Sequence, residues 1–167
     1  MALSLKFRVQ SYQHTNIPGD ISVVITGFLQ DLNAIAFTTA AGTVDTFTVQ
    51  SAGSSLPDAN FANFFIALAQ SAVNTKYSLS ITGTTADVSD IVAGMTTTNG
   101  LFPQMAVTGT NIQLGTSLVS VRDSSSIRLS QVASGTGSTS LQFSPANWDI
   151  DYTDIVTLAS IVNFGLL

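Results

Sequence analysis

The stretch "VTGTNIQLGTSLVSV", Val107 to Val121, decides the fold class. Threonines and branched aliphatics alternate around two glycines, and no residue is charged. Apolar–hydroxyl alternation interrupted by glycine is the pattern of short strands joined by tight turns. Gly109 and Gly115 are spaced to reverse the backbone between two such strands. Ile112, Leu114, Leu118 and Val119 are expected to fill a small core, with threonines on the outer pleats. No lysine follows the glycines, so a phosphate cradle is not expected.

Working outward, the same texture predicts strands at 105–110, 117–122, 126–130 and 138–143. Turns are expected at Asn111, Asp123–Ser125 and Ser134–Gly137. Turn signals at this spacing imply a small β-sandwich or barrel. Toward the N-terminus, "LSLKFRVQSY" places Leu3, Leu5, Phe7 and Val9 on one side of a half-buried strand. "NIPGD" supplies a turn, "ISVVITGFLQ" a second strand, and Ile35 to Gln50 a hairpin turning at Ala41–Gly42. In "PDANFANFFIALAQSAVN", by contrast, Phe61, Phe64, Phe65, Leu68, Ala69, Ala72 and Val73 recur at helical spacing. Pro57–Asp58 is the start signal, so a helix is predicted over about 58–74, packed on the N-terminal sheet. "KYSLSITG", Lys76 to Gly83, returns to strand, and "IVTLASIVNFGLL" ends the chain as an apolar strand or short helix. The expected class is mainly β, an antiparallel sandwich or barrel with one helix. Residues 1–83 form a sheet-plus-helix region and 84–167 a small β-module, with a soft boundary near Thr84.

Composition narrows the function. Charged residues are 9% of 167, far below the roughly 25% of ordinary soluble domains, and mean hydropathy is +0.38. A chain so poor in charge is expected to have much of its surface covered by other subunits. No run of about 18 apolar residues is present for a spanning helix. "MALSLKFRVQSYQH" turns polar too soon for a signal peptide, so no membrane partner is expected. There is no cysteine, which excludes disulfides and thiolate metal sites. Lys6, Arg8, Lys76, Arg122 and Arg128 are scattered, and the net charge is −5, so nucleic acid is not an expected partner. All ten acids are Asp, which suits turns and caps, and Ser and Thr fill roughly a quarter of the chain.

No residue set here reads as catalytic, and no cofactor is expected. His14, the one histidine, has no nucleophile motif around it and reads as a turn or interface residue. Asp149, Asp151 and Asp154 are the one dense acidic cluster and the candidate metal ligands, but they lack the glycine and bidentate Glu of a Ca²⁺ loop. Trp148 and Tyr152 flank them, as a sugar platform would require, although anchoring at a subunit interface is the commoner use of such aromatics. The interface set is therefore Trp148 and Tyr152 with the apolar Ile155, Val156, Leu158, Ile161, Val162 and Phe164.

Residues 100–143 resemble a β-rich module of phage virion structural proteins, as found in tail fibres, baseplates and capsid-decorating proteins. The resemblance rests on Gly100-Leu101, Met105, Val107, Gly109, Ile112, Gly115-Thr116 and Val119. It continues through Ile127, Leu129-Ser130, Ala133, Gly135-Thr136, Leu141 and Phe143. Gln104 and Asn111 stand where that pattern has glycine, and Asn is the non-glycine residue that best tolerates positive φ. The resemblance implies a non-enzymatic virion protein of a tailed bacteriophage, made in the host cytoplasm. It is expected to be a capsid decoration (cement) protein, a homo-oligomer, trimeric, against the major capsid protein. The alternatives are a tail-fibre or baseplate component, for which no heptad stalk is visible, and a carbohydrate-binding module.

Overall fold

The structure, a computed structural model, describes residues 3–17, 20–32, 46–51 and 61–165. The chain is mainly β, with helices, and divides into two compact units. The division falls between Leu3 and Ser4, between Val73 and Asn74, and between Trp148 and Asp149, so residues 149–167 join residues 4–73 in one unit and the first residues belong with the other. The boundary expected near Thr84 would have cut through a strand, and the unit break precedes it.

In the N-terminal unit, β1 (Ser4–Ile17) and β2 (Asp20–Asp31) form a long antiparallel pair, with a bulge between Val9 and Ser11. β3 (Thr46–Ser51) adds to β2. On β1, Leu5 and Phe7 are buried while Arg8 and Gln10 are exposed, the period-two pattern in place. α1 (Phe61–Tyr77) buries Phe65, Ala69, Val73 and Tyr77, each four residues on from the last, so one face of the helix is apolar. Its expected start at Pro57–Asp58, the Ala41–Gly42 turn, and the side chains of His14, Phe61 and Phe64 lie outside the described residues.

The barrel unit carries β4 (Leu79–Thr85), β5 (Ile91–Ala93), β6 (Ala106–Thr108), β7 (Leu118–Asp123), β8 (Ser126–Leu129) and β9 (Gly137–Ser144). Their order in the sheet is β6-β9-β4-β5-β8-β7. The two ends of that order meet. Ala106 bridges Ser117, and Gln104 N donates to Leu118 O at 2.8 Å. Leu118 N donates to Met105 O at 2.8 Å, and Val107 N to Thr116 O at 2.9 Å. The sheet is closed into a barrel, which removes the edges that a small sheet would otherwise expose. Ile81, Val92, Val107, Leu118, Ile127, Leu141 and Phe143 fill the interior, and Ser80, Thr82, Thr84, Ser138, Ser140 and Gln142 stand outside. Gly109 sits where an added Cβ would lie 2.9 Å from Ser140 O, so a side chain there would push β6 off β9.

Several expectations need correction. Leu114 and Val119 are exposed rather than core, because Leu114 lies in the 109–117 loop and Val119 on the outer pleat of β7. The strand expected from Lys76 starts at Leu79, since Lys76 and Tyr77 complete the last turn of α1. A three-residue β10 (Asp149–Asp151) pairs with β1 in parallel, so the sheets are not wholly antiparallel. The C-terminal segment takes the helical of its two expected forms, as a second helix, α2 (Thr153–Gly165), that packs along β1.

Candidate interaction surface

The acidic cluster is engaged by the chain's own cations and helix start. Lys6 Nζ lies 3.3 Å from Asp154 Oδ1 and 3.9 Å from Asp151 Oδ2, and Arg8 Nε lies 3.1 Å from Asp154 Oδ2. Asp151 accepts from both the amide and the hydroxyl of Thr153, fixing the first turn of α2 and holding its carboxyl below the usual range. Among the described residues no group of three or more acids or histidines is placed to hold a metal ion, and Asp149 is exposed on β10. Asp151 and Asp154 are thus tied to turn and ion-pair work.

The predicted interface residues separate into different environments. Trp148 is 8% exposed and packs edge-on to Tyr77 and Phe102, with centroids at 5.2 and 6.3 Å. A ring so covered offers no open face to a sugar. Tyr152 stacks on Phe7 at 6.0 Å, and burial pushes its hydroxyl pKa up to about 12. Ile155 and Leu158 are buried within the protein's own fold, while Val156 is 46% exposed. The side chains of Ile161, Val162 and Phe164 lie outside the described residues.

The two most exposed of the large apolar residues described, Leu114 and Val88, lie together with Val132 at one end of the barrel. Three loops meet there: 86–90 between β4 and β5, 109–117 between β6 and β7, and 130–136 between β8 and β9. Val88 N donates to Ala133 O at 3.0 Å, and Ala133 N to Ser89 O at 2.8 Å. Gln113 Nε2 donates to Val132 O at 2.7 Å, Gln131 Nε2 to Leu114 O at 3.2 Å, and Ser134 N to Asn111 O at 3.0 Å. Under them, Asn111 Nδ2 donates to Oγ1 of the buried Thr85, which in turn donates to Gly137 O. What this lashing holds up to solvent is Leu114, 97% exposed, Val88, 74% exposed, and Val132, 40% exposed.

The backbone is strained at the same place. Val88 has φ +60°, a left-handed conformation that is rare for a β-branched residue and costs about 1–2 kcal/mol. The hydrogen bond from its own amide to Ala133 O contributes about 1 kcal/mol and offsets part of that cost. Asn111 (φ +66°) is also left-handed at this end and Gln104 (φ +69°) at the opposite one, before β6; both stand where the virion-module pattern has glycine. Charges at this end are few: Asp87, and Asp90 paired with Arg128 at 2.8 Å. Such a surface has nothing with which to grip phosphate.

The chain matches no family model, no curated protein and no solved structure. The surface therefore has to be read from its own chemistry. Sequence reasoning missed Val88 and Val132 and misplaced Leu114. The available signal was position: Leu114 immediately precedes a turn glycine, outside any strand alternation.

Proposed function

We propose that the protein is a non-enzymatic structural component of a tailed-bacteriophage virion, a capsid decoration protein that docks through the three-loop end of its barrel. The observation that carries this reading is the display of Leu114, Val88 and Val132 by loops tied to one another through backbone and glutamine side-chain hydrogen bonds. Exposed aliphatics on mobile loops are commonplace, but these are held in place at the expense of a strained valine. Support also comes from the virion-module pattern, whose residues supply strands β6 to β9 and two of the three loops, with left-handed backbone at Gln104 and Asn111.

Area favours an array over an isolated pair. Three side chains cover far less than the roughly 1,200–2,000 Å² of a stable binary interface. Contacts of this size hold when many copies, or the subunits of an oligomer, engage together. A trimer on the major capsid protein, assembled from chains made in the host cytoplasm, meets that requirement. The face is neutral and apolar, so the recess that receives it is expected to be neutral and apolar too.

The test is cross-linking mass spectrometry on particles purified from the source that encodes the sequence. The chain should be present, with cross-links from the 86–90, 109–117 and 130–136 loops to the major capsid protein. Cross-links to tail proteins instead would move it to a fibre or baseplate. Its absence from purified particles would overturn the virion reading.

A further inference from the structure

We propose that Asn99 is a self-modification site: in the folded protein it deamidates spontaneously and marks the age of the molecule. Of the asparagines in the chain, Asn99 is the one followed by glycine. The dipeptide sits in an exposed turn at the barrel end opposite the three loops, between β5 and β6. Asn99 N donates to Thr97 Oγ1 at 3.1 Å and Leu101 N to Thr98 O at 3.3 Å. Gly100, at φ +79°, occupies the left-handed position of that turn. No hydrogen bond among the described residues occupies the Asn99 carboxamide or the Gly100 amide. Asn111, in contrast, has its carboxamide bound to Thr85 and a branched Ile112 after it.

The chemistry needs only water. Gly100 N attacks Asn99 Cγ, forming an N–Cγ bond, and the side-chain nitrogen leaves as ammonia with the amide proton. Water then opens the succinimide at either carbonyl, giving aspartate or isoaspartate at position 99. Aspartate puts a new carboxylate on a turn whose Thr98 Oγ1 already donates to Asp123 O at 2.9 Å. Isoaspartate lengthens the main chain by one methylene between residues 99 and 100. The Thr98–Leu101 hydrogen bond is then lost, and buried Leu101 and Thr98 lose their anchor.

The experiment is peptide mass spectrometry of the intact folded protein, sampled over days in mildly alkaline buffer, with isoaspartate detected by enzymatic methyl labelling. Asn99 should convert an order of magnitude faster than Asn147, another exposed asparagine in an irregular segment. The aged protein should unfold at lower temperature, and Asn99→Gln should abolish both changes. Conversion at the rate of Asn147, or conversion of Asn99 only after denaturation in urea, would overturn the proposal.

Discussion

The two ends of the barrel are finished in opposite ways. Where β4 begins and β9 ends, Tyr77, Phe102 and Trp148 pack edge to face and turn their apolar surface inward. At the other end, no aromatic among the described residues closes the opening. Amide side chains and backbone hydrogen bonds tie three loops together, and aliphatic side chains point to solvent. Burial of aromatic area stabilises one end, and satisfied polar groups hold the shape of the other. Apolar side chains thus close one end, while at the other Leu114, Val88 and Val132 are held in place at the surface.

The largest effect is expected at the aromatic end. Trp148→Ala removes the ring shared by Tyr77 and Phe102 and should cost about 3–5 kcal/mol of barrel stability in urea unfolding. At the loop end, Asn111→Ala should cost less, about 1–3 kcal/mol, because Thr85 loses a buried partner and alanine is left at φ +66°. Asn111→Gly relieves the backbone part alone, so it should recover some of the loss. If the two variants melt together, the hydrogen bond dominates and the left-handed backbone matters little.

Val88→Gly should move stability the other way. Relief of about 1–2 kcal/mol at φ +60° is partly offset by glycine's greater freedom in the unfolded chain, leaving a gain of about 1 kcal/mol. The side chain is exposed, so little packing is lost. A stabilised protein with weakened docking would show that the strain serves the surface.

The smallest effect is electrostatic and belongs to the aromatic end. Ser126 and Ser125 donate to the Asp123 carboxylate and hold it below its ordinary 3.8. A carboxyl whose pKa is lower in the folded state contributes its stability above the unfolded value and loses it as pH falls through the folded one. Acid unfolding of Asp123→Asn should therefore show a shallower decline below about pH 4 than the parent.

Much of this architecture was legible from residue order. Alternation located β1, β2 and the strands β6 to β9, because each half-buried strand writes its two faces into a period of two. Helical spacing located α1. Asn111 was legible as a left-handed residue from its own chemistry. The rest depends on long-range partners. Leu118 and Leu114 are the same residue four positions apart, yet one is sealed inside the barrel and the other is fully open. Only closure of β6 against β7 separates them. β10, three residues long, takes its place from pairing with residues 4–6 at the far end of the sequence. Val88 had no signal, since a strained valine differs from an ordinary one only in the fold.

On the proposed docking role, Leu114 faces a partner and contributes nothing to the protein's own core. The direct measurement is Leu114→Asp, compared with the parent in urea unfolding and in occupancy of purified particles. Unchanged unfolding with lost occupancy is the predicted result. Equal occupancy, or a loss of folding stability like that of Trp148→Ala, would contradict it.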